Sequence, residues 1–326
     1  MASDLYKKLC KEAQNNKLNL TKKNFKTIRD IFKELSKELE IKAVKAKRKS
    51  LSERFLLDYK KSIDRSLKIV REELYKNNKK IILESAKYAN EVQLSFFNTI
   101  NNQFDLGLDK TFNVVFSKVP EDAIKEIIRG EMYKDRKGLS LRIWTDTNNM
   151  SKDIDYIISK GIAEKKDVYS LSKDLEMYVN PEAKKTFEYN KVYPGTRKQI
   201  DFNAQRLART SINHAFFLSN IRSCKRNPFV EGMKWELSMS HHERQVIKFG
   251  PDECDDYAEQ NEYNMGRGVF PLSELPLPHP QCLCSQYAVL SKSLEDIGVD
   301  LGKWVRGENN PSLDNWYKKY YLDFMR

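Results

Sequence analysis

From Leu5 to about Tyr88 apolar residues recur at spacings of three and four, and that periodicity leaves few folds open. Phe25, Ile28, Ile31, Phe32, Leu35 and Leu39 form one stripe, and Leu56, Tyr59, Ile63, Leu67 and Val70 form a second. A 3.6-residue period puts such positions on one face, so the segment predicts two or three long amphipathic helices that must bury that face. Ile81 to Phe104 continues the pattern. With only 12 Gly and 10 Pro in 326 residues, and 40% hydrophobic against 32% charged residues, the composition is that of a helix-rich globular chain. A chain of this length holds about two domains.

The punctuation downstream divides the rest. Phe104-Asp-Leu-Gly-Leu108 reads as a break, followed by a short β-branched and aromatic segment, Phe112 to Phe116, with a boundary near Gly107. Pro120 opens a helix through Ile128, and Gly130 ends it. Gly138 to Trp144 reads as a connector. Ser151 to Ala163 reads as a helix with Ile154, Ile157 and Ile158 on one face, and Val168 to Tyr178 as another, closed by Asn180-Pro181. A longer helix runs from Thr196 to about Cys224 and carries Arg206, Arg209, Thr210 and Asn213 on one polar face. Beyond Pro228, Trp235, Leu237, Val246, Phe249, Tyr263, Val269 and Phe270 are interspersed with Gly and Pro, the texture of short strands and long loops. The final stretch is aromatic and basic, and most of its rings, Trp316, Tyr317, Tyr320, Tyr321 and Phe324, are expected to dock on the domain. The expected fold is therefore mainly α. Residues 1–118 form an N-terminal helical region, and residues 119–326 hold a helical middle and a small, loop-rich α+β C-terminal domain.

Met1 to Lys8 lacks the apolar core of a secretory signal, and no run of about 18 apolar residues occurs anywhere, so a soluble chain with no membrane contact is expected. Five Cys is an odd, low count, and Cys282 and Cys284 are too close in sequence to bridge comfortably, which favours reduced thiols or metal ligands over disulfides. The net charge of +12 suits an acidic partner, nucleic acid first among them, although a Lys-rich compositional bias gives the same balance. The candidate phosphate contacts are the run Lys42, Lys45, Lys47, Arg48 and Lys49, whose competing reading is a solvated helix face, together with Arg206 and Arg209.

Between Trp235 and Cys284 the chain concentrates His241, His242, Asp252, Cys254, Asp255, His279, Cys282 and Cys284. Three of the four His and three of the five Cys fall there. A loop-rich segment with few apolar residues gains little from burial, and coordination of an ion by thiolates and neutral imidazoles could supply the missing folding energy. In His279-Pro-Gln-Cys282-Leu-Cys284 a turn can bring His279 and Cys282 to one ion, while Cys284 points away if the segment is extended. Only one of those two Cys is then needed. Cys254 and either His241 or His242 would complete a Cys2His2 tetrahedron, zinc being the expected ion. Asp252 is too hard a donor for a closed structural site and is better suited to orienting a ligand His. The competing reading makes Cys282 or Cys284 a small buried residue and His241-His242 part of an exposed loop.

These residues carry a resemblance. Trp235-Glu-Leu-Ser-Met-Ser-His241, Asp252-Glu-Cys-Asp-Asp-Tyr-Ala258, Gly268-Val-Phe270 and Pro276-Leu-Pro-His-Pro-Gln-Cys-Leu-Cys284 resemble, in order and spacing, the C-terminal domain of the Mu-F-like phage head morphogenesis proteins, also called minor capsid or minor head proteins. Arg206-Leu-Ala-Arg-Thr-Ser-Ile-Asn-His-Ala215 is similar to that family's Arg-Thr-Glu helix. Gly161-Ile-Ala with Leu171-Ser-Lys-Asp-Leu175 resembles the short helical repeats that precede it. The likeness spans roughly residues 120 to 290. It departs at Ser211, where the family has Glu, at Gln281 before the Cys-x-Cys, and in a longer insertion between His241 and Asp252. The resemblance implies a low-copy virion component in the capsid interior or at the portal vertex, present in the host cytoplasm during assembly. Its implied partners are the phage portal protein, double-stranded DNA and other capsid proteins, and its implied role lies in head assembly, packaging or ejection.

Two other classes compete. A metal-dependent nuclease or toxin-like enzyme would use His241, His242, Asp252, Asp255 and His279, but hydrolysis needs an open metal position and a general base, and no nucleotide-binding loop, nucleophile elbow or His-Glu-x-x-His helix accompanies them. No catalytic residue is assigned. A zinc-stabilised DNA-binding module unrelated to phage would use the same basic residues and bind with steep salt dependence.

Overall fold

Long apolar stripes without Gly or Pro produce long helices. The computed structural model describes residues 4–46, 53–164, 166–182, 193 and 200–322. Its first two helices, α1 (Asp4–Ala46) and α2 (Glu53–Phe104), are 43 and 52 residues long. They are followed by α3 (Asp109–Ser117), α4 (Val119–Arg129), α5 (Leu139–Ala163), α6 (Val168–Val179) and α7 (Ile200–Lys225). The chain then changes character into β1 (Val230–Glu236), a π-helical turn (His242–Val246), α8 (Glu253–Glu259), β2 (Val269–Phe270) and β3 (Ser285–Leu290). It ends in α9 (Leu294–Val305), α10 (Pro311–Tyr317) and a second π-helical turn (Lys318–Leu322). Helix makes up 72% and strand 5%, so the fold is mainly α with one small antiparallel sheet and a Cys/His cluster near the C-terminus. No helix among the described residues is long and apolar enough to cross a membrane.

Two elements differ from the sequence reading. The Phe112 to Phe116 segment is helical: Phe112, Val115 and Phe116 are buried at spacings of three and four, and tertiary burial outweighs their β propensity. The expected connector at 138–144 is the start of α5, because Leu139, Ile143, Thr147 and Met150 continue the buried face of that helix by a further three turns.

The chain forms two compact units, Met1–Leu20 with Ile81–Ile127 and Thr210–Arg326, and Thr21–Lys80 with Ile128–Arg209. Neither unit is a single stretch of sequence, because α1, α2 and α7 each contribute to both. In the second unit Ile28, Phe32, Leu35, Leu67, Ile154, Ile157 and Leu175 are buried. Polar cross-links accompany them: Ser66 donates to Glu38 (2.6 Å), Arg71 to Thr147 (3.0 Å) and Tyr178 to Asp153 (2.8 Å).

The first unit has an aromatic core. Phe97 stacks on Phe112 with ring centroids 4.7 Å apart, and Trp316 stacks on Phe97 at 6.4 Å. The C-terminal aromatics also satisfy the open carbonyls at the end of α7, with Trp316 Nε1 donating to Arg226 O (2.7 Å) and Tyr320 Oη to Lys225 O (3.0 Å). Phe324 lies outside the described residues. The sheet has the order β2-β1-β3, with β1 antiparallel to both neighbours. Gly268 makes the return to β2 possible. It sits at φ +70°, and a Cβ there would meet Ala258 O at 2.7 Å and Trp235 O at 3.2 Å. Gly268→Ala is expected to destabilise the chain by on the order of 1–3 kcal/mol, read as a lower urea midpoint at unchanged slope; a midpoint equal to wild type would show that the backbone yields freely there.

Candidate metal centre

Strand register builds the centre. Glu236 at the end of β1 pairs with Ser285 at the start of β3, so Cys284, the residue before β3, sits beside the chain as it leaves β1. Four residues further on, that chain reaches the buried His241. Cys254 arrives from α8, whose start is pinned by a capping box: Asp252 accepts from Cys254 N (2.9 Å), and Asp255 accepts from Asp252 N (2.9 Å). That fixes Cys254 in the first turn, fully buried.

The segment from His279 to Cys284 is a turn and not an extended strand. Cys282 N donates to His279 O (3.1 Å), and Gln281 adopts φ +68°. A left-handed conformation is costly for a residue with a side chain, and here neighbouring bonds hold it. From α7, Thr210 accepts from Gln281 N (3.3 Å), and His214 Nε2 bonds Pro278 O (2.8 Å). Cys282 and Cys284 consequently face the same point. With Cys254 their sulfurs lie within 4.8 Å of one another, and the Cys254 and Cys282 sulfurs are 3.6 Å apart.

The donor set fits a bound ion. With thiolate bonds of about 2.3 Å and imidazole bonds of about 2.0–2.1 Å, a tetrahedral ion holds two sulfurs about 3.8 Å apart and a sulfur and a nitrogen about 3.6 Å apart. The observed Cys254–Cys282 spacing is 3.6 Å, and Cys284 Sγ lies 3.8 Å from His241 Nδ1. All five cysteines are free thiols. The far side of the imidazole is engaged as a ligating His requires: His241 Nε2 is 3.0 Å from Asp255 Oδ2, so donation to that carboxylate leaves the Nδ1 lone pair facing the sulfurs. His279 faces an oxygen at each ring nitrogen, and a neutral imidazole can donate to only one of them. Its Nδ1 bonds Pro280 O (2.9 Å), and its Nε2 is 3.3 Å from Asp252. The three sulfurs form one group with His241 beside Cys284, and His279 lies with Cys254 and Asp252 in an adjoining group, so either imidazole could complete a four-donor set.

The three thiols are not equivalent: Cys284 is shifted towards the thiolate, Cys254 and Cys282 away from it. Cys284 is held far down in the thiolate range by hydrogen bonds with Cys254 and Cys282, helped by the backbone N–H of Ser238. Cys254 is held well above the usual thiol range by its bonds to Cys282 and Cys284 and by burial. Cys284 N also points at Cys282 Sγ (3.3 Å). A cysteine serving only as a small apolar filler has no need of such N–H groups. Burial opposes a charged His241, but Asp255, Cys284 and Asp252 outweigh it and raise its pKa. A metal ion would therefore displace protons from the thiols and from His241.

The other expected residues are dispersed. His242 is exposed. Asp252 lies nearest His279, and it is Asp255, which the sequence reading did not single out for this role, that holds His241. Its signal was present in the Asp-x-x-Asp spacing of a helix start. Lys47, Arg48 and Lys49 lie outside the described residues, and Lys42 and Lys45 fall in the last turns of α1. Arg206 is exposed, and Arg209 lies over the Phe25 ring at 4.7 Å. On the same helix Thr210 and Asn213 serve the first unit, where Asn213 accepts from Lys17 (2.7 Å). Compared with protein-family models, with curated proteins and with solved structures, the chain shows no match.

Proposed function

We propose that this chain is an assembly protein of the phage minor head type, and that a zinc ion holds its loop-rich C-terminal segment. The observation that carries the reading is convergence: Trp235 to His241, Asp252 to Ala258 and Pro276 to Cys284 are three segments that carry the resemblance, and from them Cys254, Cys282 and Cys284 come within 4.8 Å of one another, with His241 3.8 Å from Cys284. Borderline-soft thiolate and imidazole donors suit zinc. In this role the ion supplies folding energy and no chemistry. Asp252 and Asp255 spend their oxygens on the capping box and on the two imidazoles, which is how structural zinc sites use nearby carboxylates. The proposed partners are the portal protein, double-stranded DNA and other capsid proteins, with the virion and the assembling head as the location. The net charge of +12 supports the DNA part, with Arg206 and Lys42 to Lys49 as candidate phosphate contacts.

Four outcomes test this reading. Purified full-length protein is expected to carry about one equivalent of zinc, with a melting temperature that falls on chelation; less than about a tenth of an equivalent with an unchanged melting temperature removes the metal. Asp255→Asn keeps a cap acceptor but loses the carboxylate on His241, and is expected to weaken zinc retention about 10–100-fold in competition with a chromophoric chelator. Fluorescence anisotropy with duplex DNA should show binding whose logarithm falls steeply with the logarithm of salt, and the gene should lie beside portal and major capsid genes. No binding at low salt removes the DNA role, and a neighbourhood without phage structural genes overturns the assembly reading.

A further inference from the structure

Away from the Cys/His segment, α1 carries a concentration of positive charge. Between Thr21 and Lys33 the sequence has five cations, Lys22, Lys23, Lys26, Arg29 and Lys33, against one carboxylate, Asp30. Lys22, Lys26, Arg29 and Lys33 recur at spacings of four, three and four, which sets them on one face of the helix, one step round from the buried Ile28, Phe32 and Leu35. They line a groove of about 420 Å³ shared with Phe25, Pro181 and Glu182, all within the second compact unit. Lys33 is half-buried and pairs with Glu182 (2.5 Å). Lys22, Lys26 and Arg29 are exposed, and among the described residues none of these three side chains has an ion-pair or hydrogen-bond partner. Further along the same helix Lys37 is bonded to Glu34 (2.7 Å). Like charges three and four residues apart on a helix repel, and a cleft lined by one sign of charge focuses its field. The face thus carries a cost in the free chain that a bound anion would remove.

We propose that the groove along Lys22, Lys26 and Arg29 of α1 binds the phosphate backbone of duplex DNA. The inference rests on the DNA part of the reading above and gives it a place on the molecule other than the Lys42 to Lys49 run. From residue 22 to residue 33 the helix rises about 16 Å at about 1.5 Å per residue. Over that length a duplex presents about one phosphate per 1.7 Å of axis. A straight row of cations can therefore lie along a strand and meet several phosphates, and the Arg29 guanidinium can take two oxygens of one of them. Against the four cations the lining sets two carboxylates, Asp30 and Glu182, so positive charge is in excess. The groove offers charge but no platform for bases. Phe25, the one aromatic ring in its lining, is half-buried beneath Arg209, whose guanidinium lies 4.7 Å from the ring centroid. Single strands bind by stacking unpaired bases on exposed rings. The groove suits a duplex held by its backbone, without sequence preference.

The experiment uses the full chain and two triple variants of equal charge. One combines Lys22→Gln, Lys26→Gln and Arg29→Gln. The other combines Lys7→Gln, Lys8→Gln and Lys11→Gln, three exposed cations nearer the start of the same helix. Glutamine is a good helix former, and circular dichroism with a melting temperature checks that both variants fold as wild type does. In fluorescence anisotropy with a labelled duplex of random sequence, the groove variant is expected to bind about tenfold or more weakly than wild type at low salt. Its slope of log affinity against log salt should be shallower by about 2–3, one step for each lost phosphate contact. The second variant should keep nearly the wild-type affinity and slope. Equal losses in both variants mean that net charge alone matters, and an unchanged slope in the groove variant means that its cations touch no phosphate. Either result overturns the inference while leaving DNA binding by the chain intact. Tighter binding of a single strand of the same length, or displacement of the duplex by polyglutamate at matched charge, overturns the assignment to duplex phosphate. A wild-type chain that binds no duplex at low salt removes the DNA reading itself, and the groove site with it.

Discussion

Three cysteine sulfurs within 4.8 Å of one another, with His241 beside Cys284, are the contact around which the C-terminal half of the first unit is arranged. The stretch between β1 and β3 contains a two-residue strand, a seven-residue helix and a π-helical turn. Little backbone ladder holds it. At its centre Cys254, Cys282 and Cys284 meet, with His241 beside Cys284, and the surrounding bonds aim those side chains: the capping box at Asp252, the carboxylate of Asp255 behind His241, and the left-handed Gln281 that turns both Cys282 and Cys284 inward. Donors held this way need only modest rearrangement to accept an ion, so most of the ordering entropy is met by folding and not by binding.

Helices were the most legible part of the chain, because their stripes are long and their stops are chemical. Pro120 and Gly130 bound α4, and Asn180-Pro181 closes α6, as local rules dictate. Where the reading differed, at Phe112 to Phe116 and at Leu139 to Trp144, local composition was ambiguous and burial decided. The membership of the centre was also legible, since His and Cys crowd into one segment. Its geometry was not. An extended His279 to Cys284 would send Cys284 away, and only the turn at Gln281, held by Thr210 of α7, reverses that. The contact of α1 with the cysteine loop had no local signature at all: the bond from Gln14 Nε2 to Leu283 O spans 269 residues. A helical face in α1 looks the same in sequence whether it meets a leucine or a cysteine loop.

The polar face of α7 shows how one pattern divides between tasks. Arg206, Arg209, Thr210 and Asn213 share spacing, and the spacing alone suggests a common surface. In the structure Thr210 supports the Gln281 turn, Asn213 holds the Lys17 ammonium and Arg209 lies over Phe25, while Arg206 is exposed. A polar stripe on a helix is therefore as well suited to holding a loop of its own chain as to meeting a phosphate backbone. Here the loop it holds is the one that carries two of the three clustered cysteines.

The same geometry bears on the choice between a structural and a hydrolytic centre. A hydrolytic metal keeps one position open for water and a carboxylate or imidazole free to take its proton. Four protein donors at Cys254, Cys282, Cys284 and His241 would close the coordination sphere. In the proposed structural centre three nearby groups are engaged: Asp255 accepts from His241 and from Asp252 N, Asp252 accepts from Cys254 N and faces His279, and His279 bonds Pro280 O. Freeing any of them for proton transfer would loosen the start of α8 or the imidazole that points at the sulfurs, and with it the centre. The bonds that aim the donors are the bonds that a catalytic base would have to give up.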